Sequence, residues 1–215
     1  MNYKTPARLV IADDHRLLAE ACSRFLQPEF QVVAVVTDGR ALVEAAVRLK
    51  PDVVIVDIAM PLLNGLVAAE QIKHRIPSVK VVFLTMTSDA DMAAEAFRRG
   101  GSAYVLKQSG ADELVMATRK VLTGESYLSS LIARETLTFL LDQRKPYEER
   151  KRLTMRQIEV LQLLAEGMSM KEAANVLGLT PGTVACHKYQ MMATLGVKTN
   201  AELLRYAIEH HALCA

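Results

Sequence analysis

The run Val53–Val56, which ends at Asp57, constrains the fold of this chain more than any other stretch. Four consecutive β-branched residues leave no polar side, and this predicts a strand that is buried on both faces. Such strands belong to parallel sheets covered by helices on both sides. Asp57 then lies at the C-terminal end of a central strand, where open α/β sheets place their chemistry. A single acid at a strand end is more often a helix cap or a turn residue, so its role depends on its neighbours.

The first 122 residues alternate five short apolar runs with five helical patterns. The apolar runs cover residues 8–12, 30–36, 53–56, 80–85 and 102–106. The helical patterns cover residues 16–26, 39–49, 65–74, 89–99 and 111–122. Five βα units with short connections predict an α/β fold with a doubly wound five-stranded parallel sheet that carries helices on both faces. The crossovers should be right-handed, which leaves few topologies. In a sheet of order 2-1-3-4-5, the first and third strands are neighbours.

The pattern changes after residue 122. Residues 131–141 have the pattern of a helix, and the charged, proline-containing stretch 142–152 is typical of a solvated linker. The remaining residues have no strand pattern. Four short amphipathic helices are predicted there. Three begin at capping boxes, Thr154-x-x-Gln157, Ser169-x-x-Glu172 and Thr199-x-x-Glu202, and one begins at Thr180-Pro181, an N-cap followed by proline at the first helical position. The predicted division is 1–125, 126–152 and 153–215.

The composition excludes several classes of protein. Half of the 215 residues are hydrophobic and the net charge is +2, which argues against a strongly basic protein that coats nucleic acid. Cys22, Cys186 and Cys214 have no metal-ligand spacing and are odd in number, which fits a reducing compartment. No apolar run approaches the ~20 residues of a membrane helix. We expect a soluble, cytoplasmic protein with no membrane partner.

Five polar side chains fall at the C-terminal ends of predicted strands: Asp13, Asp14, Asp57, Thr85 and Lys107. Unpaired carboxylates at one sheet edge would repel one another, and a hard cation such as Mg²⁺ with oxygen ligands removes that problem. A carboxylate nucleophile, a metal, an ammonium and a hydroxyl suit phosphoryl transfer, with Asp57 attacking. Taken singly, Asp14 could be a cap, Asp13 a turn acid and Lys107 a surface lysine.

With these residues, positions 8–122 resemble the receiver domain of two-component response regulators, which has a flavodoxin-like fold. The resemblance implies that Asp57 accepts phosphate from a sensor histidine kinase. It also implies that the backbone carbonyl of Ala59 joins the acids around Mg²⁺. Tyr104 matches the family's switch aromatic, which turns inward when Thr85 bonds the phosphate. The alternative is that Tyr104 is an edge-strand aromatic that only packs on a helix. The pair Gly100-Gly101 departs from the usual Gly-Ala.

The C-terminal helices have helix-turn-helix spacing, with residues 181–195 as the candidate recognition helix. At about 100° per residue, Val184, Met191 and Leu195 share one face, which should be buried. Gly182, Cys186, Tyr189 and Ala193 fall on the opposite face. That face is small or polar and could enter a DNA major groove, although a helical bundle for protein contacts has the same pattern.

Residues 153–197 resemble the DNA-binding domain of LuxR/NarL-type regulators, carried by Leu153-Thr-Met-Arg-Gln-Ile-Glu-Val-Leu161, Glu166-Gly167, Lys171-Glu-Ala-Ala174 and Thr183-Val184. The resemblance implies that bases face Ala185, Cys186 and Tyr189, and that phosphates lie near Lys171, Thr183, His187 and Lys188. Ala185 departs from the long polar residue usual there and cannot make a bidentate contact with guanine. Specificity then depends on Tyr189, Gln190 or DNA shape. A thiol sensor at Cys186 is an alternative to a small space-filling residue.

The sequence as a whole therefore predicts a transcription regulator, switched by phosphorylation of Asp57, that binds DNA as a homodimer. The basic and acidic residues of the last domain nearly cancel, so one copy should bind DNA weakly and two half-sites would compensate. One alternative is a phosphatase with an aspartyl nucleophile, but Ala59 occupies the position where that class needs a second acid. The other is a regulator of the same fold that ignores phosphate.

Overall fold

The computed structural model describes residues 5–88, 90–133 and 153–209. Its strands are β1 (Arg8–Ala12), β2 (Gln31–Val36), β3 (Val53–Val56), β4 (Lys80–Thr85), β5 (Ala103–Leu106) and β6 (Tyr127–Leu128). They form one parallel sheet of order β2-β1-β3-β4-β5-β6. The helices around it are α1 (Arg16–Leu26), α2 (Gly39–Leu49), α3 (Gly65–Arg75), α4 (Ala90–Arg98) and α5 (Ala111–Leu122).

The predicted fold class and strand order are confirmed, and the structure adds a sixth strand. β6 pairs with the outer edge of β5, and the Ser129 amide continues the pairing by donating to the Tyr104 carbonyl at 2.9 Å. Two residues are too few to show the alternation that marks a strand in a sequence. Tertiary pairing therefore determines β6, and it covers the edge of β5.

Helices cover both faces of the sheet, as the fully apolar strand β3 requires. On one face the strands pack against α2, α3 and α4, and Leu42, Ile72 and Ala93 are fully buried there. On the other face the strands pack against α1 and α5, where Leu26 and Ala117 are fully buried. The sheet is thus fixed from both sides, and its polar strand ends lie at one edge.

The C-terminal region is a small helical domain. Its helices are α6 (Met155–Ala165), α7 (Met170–Leu177), α8 (Pro181–Leu195) and α9 (Asn200–Glu209). Both hydrogen bonds of each predicted capping box form, at Thr154, Ser169 and Thr199. A separate apolar cluster, which includes Val160, Leu177, Val184, Met191 and Leu203, holds the four helices together.

The predicted helix at residues 131–141 and linker at 142–152 lie largely outside the described residues. Within the described ranges, no helix combines the length and apolar character needed to cross a membrane.

Candidate phosphorylation site and nucleic-acid interface

The pairing of β1 with β3 brings the predicted acids together. Ala12 and Val56, the last residues of these strands, are paired, and the Asp57 amide donates to the Ala12 carbonyl at 2.9 Å. The next residue on each strand is therefore an aspartate at the same edge. Asp13 is 2% exposed and Asp57 is 3% exposed. Two carboxylates are thus buried side by side, an arrangement that needs a compensating cation.

Lys107, which follows β5, supplies a positive charge to both carboxylates. Its Nζ atom lies 2.6 Å from Oδ2 of Asp57 and 2.8 Å from Oδ2 of Asp13. Burial raises the pKa of Asp57, although the Lys107 hydrogen bond opposes this. Burial alone would lower the pKa of Lys107, but its hydrogen bonds to Asp13 and Asp57 outweigh burial and raise the pKa. Lys107 is therefore charged and placed to offset charge on Asp57.

The acidic cluster fits a hard divalent cation. Asp13, Asp14, His15 and Asp57 each offer one ligand atom, and these atoms lie within 4.8 Å of one another. Oδ2 of Asp13 and Oδ1 of Asp14 are buried, and the Lys107 ammonium lies 2.8 Å from the first oxygen while Nδ1 of His15 lies 3.1 Å from the second. Such oxygens are suitable Mg²⁺ ligands. His15 was not predicted; its amide donates to Oδ1 of Asp13 at 2.9 Å.

Thr85 and Tyr104 meet at Thr87. The Thr87 amide donates to the Thr85 hydroxyl at 3.2 Å, and the Tyr104 hydroxyl donates to the Thr87 carbonyl at 2.8 Å. Tyr104 is fully buried. The Tyr104 side chain is therefore turned inward, with its hydroxyl against Thr87. The Ala59 amide donates to Oδ1 of Asp57 at 3.4 Å, so the residue expected to supply a metal-binding carbonyl contacts the candidate acceptor.

Helix α8, the candidate recognition helix, presents the predicted face to solvent. Gly182, Cys186, Tyr189 and Ala193 are exposed, whereas Val184 and Met191 are fully buried. The other candidate DNA contacts divide into exposed Lys171 and half-buried Thr183, Ala185, His187 and Lys188. Lys188 lies 5.8 Å from the Tyr189 ring centre. The contact between the sheet domain and the helical domain runs through α3 and α6, and it includes the hydrogen bond from the Asn64 amide to Gln162.

Comparison with known families decides the assignment. Residues 9–119 match the response regulator receiver domain, and residues 151–207 match the bacterial regulatory proteins of the luxR family. The chain is a LuxR-family response regulator. This regulator is a DNA-binding transcription factor switched by phosphorylation and is not an enzyme, which sets aside the phosphatase alternative.

Similar proteins span almost the whole regulator. The oxygen regulatory protein NreC of Staphylococcus aureus is 33% identical over 96% of this chain and 99% of its own length. RcsB from Salmonella enterica serovar Typhimurium, solved bound to a promoter in the presence of phosphomimetic BeF3⁻, has 26% sequence identity to this chain and superposes with a TM-score of 0.59. The match covers 94% of this chain and 98% of the RcsB chain. In a structure of two RcsB dimers bound to two parallel DNAs, the RcsB chain has 27% sequence identity to this chain and a TM-score of 0.58. The match again covers 94% of this chain and 98% of the RcsB chain.

One group of polar residues at the domain contact was not predicted from the sequence. Gln162 is fully buried, and Glu159 is 5% exposed. Both lie on α6 and bond to the receiver domain, as does Glu166. The available signal was a polar residue inside the apolar run Val160-Leu161-Gln162-Leu163-Leu164. A buried amide in such a run needs hydrogen-bond partners, and here they come from the other domain.

Proposed function

We propose that Asp57 is the phosphoacceptor of this regulator and that a sensor histidine kinase is the donor. In the transfer, a carboxylate oxygen of Asp57 bonds to phosphorus as the N–P bond of the kinase phosphohistidine breaks. The histidine nitrogen keeps the electron pair. The observation that carries the proposal is the buried triad in which Lys107 lies within 2.8 Å of both Asp13 and Asp57.

The residues around Asp57 would act in distinct ways. Lys107 offsets negative charge at the acceptor, and Thr85 supplies a hydroxyl at the end of the neighbouring strand. Asp13, Asp14, Asp57 and the Ala59 carbonyl would hold Mg²⁺, which when bound neutralises charge on the phosphoryl oxygens. Tyr104 would follow Thr85 through their shared contact with Thr87.

We also propose a cytoplasmic regulator whose phosphorylated form pairs two copies on DNA. Residues 1–125 would form the receiver domain and residues 153–215 the DNA-binding domain, joined by 126–152. Lys171, Thr183, His187 and Lys188 would contact phosphates, and Ala185, Cys186 and Tyr189 would contact bases. RcsB, which resembles this chain, has been seen as dimers on DNA. A DNA-binding domain with little net positive charge neutralises few phosphates, so a single copy would bind DNA weakly and two copies together would bind more tightly.

The test is intact mass after incubation with Mg²⁺ and acetyl phosphate, for the wild-type chain and Asp57→Ala, with sizing and DNA binding on the same samples. We expect one phosphoryl adduct on the wild type alone, a shift to dimer, and tighter DNA binding. Absence of the adduct in the wild type would favour the regulator that ignores phosphate. An adduct without a size change would retain Asp57 as acceptor and disprove the dimer.

A further inference from the structure

A buried contact joins the DNA-binding domain to the loop that follows Asp57. The Gln162 carboxamide of α6 accepts from the Asn64 amide at 2.7 Å and donates to the Met60 carbonyl at 2.9 Å. One fully buried side chain thus bonds both ends of the segment between Met60 and Asn64. Asn64 also caps α3, since its side chain accepts from the Val67 amide.

Apolar and polar contacts surround this bond. Leu62, from the receiver loop, packs against the apolar cluster of the helical domain, and Ile158, from α6, packs against the receiver cluster. Leu62 has φ +65°, a backbone conformation that is costly for a non-glycine residue. Its amide donates to Glu166 at 3.2 Å. The helical domain therefore supports a strained conformation in the receiver.

The same loop is tied to Asp57. The Ala59 amide contacts Oδ1 of Asp57, and the Gly65 amide donates to the Ile58 carbonyl at 2.8 Å. A Cβ on Gly65 would lie 2.0 Å from the Asp57 carbonyl oxygen. With so little free space, a displacement of the Met60 carbonyl is transmitted to Ala59 and Asp57.

We propose that Gln162, a residue of the DNA-binding domain, is a positioning residue of the phosphorylation site. It holds the loop in the arrangement seen while the two domains are docked, and so slows phosphorylation until the domains separate. This inference rests on the proposed role of Asp57. Because equilibrium coupling between two sites is reciprocal, separation of the domains favours the phosphorylated form to the same extent that phosphorylation favours separation.

The test compares the full-length wild type with Gln162→Met, which keeps side-chain length and removes both hydrogen bonds to the receiver loop, together with the bond from Gln162 to Glu166. Gln27→Met is the matched control, since Gln27 is an exposed glutamine at the C-terminal end of α1 whose side chain bonds Ser23 of the same helix. Amide hydrogen exchange is followed by NMR at Leu62 and Asn64, whose acceptors are Glu166 and Gln162 of the helical domain. Leu63 and Gly65, which bond within the loop, are internal references. The rate of adduct formation with acetyl phosphate and the Mg²⁺ affinity are measured on the same proteins.

We expect Gln162→Met to speed exchange at Leu62 and Asn64 more than at Leu63 and Gly65. Its phosphorylation rate should rise between about 2- and 30-fold, the range usual for residues that couple two sites. Mg²⁺ affinity should change as well, because the loop carries Ala59. Gln27→Met should match the wild type in every measurement.

Equal phosphorylation rates in all three proteins would overturn the role of Gln162 and leave Asp57 as acceptor. Absence of an adduct in the wild type would overturn both proposals. If Gln162→Met does not fold, Leu62→Gly tests the same contact from the receiver side, because it removes the packing and relieves the positive φ. A phosphorylation rate in Leu62→Gly equal to the wild type would then disprove the coupling.

Discussion

Lys107 determines the electrostatics of the acidic site at the scale of single residues. Its Nζ atom is the cation shared by Asp13 and Asp57, and its side chain is only 5% exposed. Removing one partner of a buried ion pair leaves an uncompensated charge, which is far more costly than losing a surface pair. The same residue that would stabilise the phosphoryl group therefore also stabilises the resting fold.

We predict that Lys107→Met lowers the free energy of unfolding at pH 7.5 by about 3–5 kcal/mol in the absence of divalent cations. Without the lysine, the buried Asp57 carboxyl has a folded-state pKa even further above its unfolded value. Stability is then present at low pH and is lost as pH rises through the folded pKa. Urea unfolding with EDTA should show a smaller deficit at pH 5 than at pH 7.5.

Lys73→Met provides the control, since the Lys73 ammonium donates to the carbonyls of Pro77 and Val79. Its deficit should not vary between pH 5 and pH 7.5. An equally pH-independent deficit in Lys107→Met would mean that the lysine acts through packing and not through charge.

At the scale of elements, the loop between β3 and α3 is confined by the helices beside it. A Cβ on Gly39, the first residue of α2, would lie 1.9 Å from the Leu63 carbonyl oxygen. Glycine permits this close approach of two backbones. The loop after Asp57 is therefore packed between α2 on the receiver side and α6 on the DNA-binding side.

We predict that Gly39→Ala destabilises the chain by about 1–3 kcal/mol, because the added methyl forces the loop away from α2. The displacement should also reduce phosphorylation of Asp57. Denaturant unfolding and adduct formation with acetyl phosphate measure the two effects.

Gly182→Ala is the matched control, because its Cβ would meet only the Thr180 hydroxyl, at 3.8 Å, near the start of α8. It should leave phosphorylation unchanged and stabilise the chain by about 0.5–1 kcal/mol, since alanine favours a helix. A similar loss in both variants would show that the Leu63 approach is not the cause.

At the scale of the whole molecule, the receiver and the helical domain contact each other through α6, while the side of α8 proposed to face DNA remains exposed. Gln71 of α3 donates to Glu159 of α6 at 2.6 Å, next to the Gln162 contact. Docking therefore does not act by covering α8. It fixes the orientation of the DNA-binding domain, and this limits how two copies can pair on adjacent half-sites.

We predict that a covalent bridge across this contact separates phosphorylation from DNA binding. Residues Gln71 and Glu159 are changed to cysteine, the native cysteines to serine, and the chain is cross-linked with a short bifunctional maleimide. The bridged chain should still form the Asp57 adduct, at a reduced rate, but should not dimerise or tighten its DNA binding. Intact mass, sizing and a DNA titration measure the three outcomes.

The double-cysteine chain capped with a monofunctional maleimide is the control, and it should behave as a working switch. If the bridged chain binds DNA as tightly as the capped chain after phosphorylation, separation of α3 from α6 is not part of the response.

Local patterns in the sequence determined the α/β fold, the parallel sheet and most helix boundaries, whereas the strand order came from the resemblance to receiver domains. The buried strand β3, the capping boxes at Thr154, Ser169 and Thr199, and the apolar side of α8 each depend on neighbours within a few residues. The convergence of Asp13 and Asp57 also followed, because parallel strands end at a common edge. These features could be predicted because hydrophobic periodicity and chain direction fix them.

Only the tertiary structure determined the contacts that join distant segments. Strand β6 exists because β5 offers it an unpaired edge, and the partners of Gln162 are about a hundred residues away in the chain. The positive φ of Leu62 likewise depends on packing against another domain. Such features have no periodic signal, because their free energy comes from surfaces that meet only after each domain has folded.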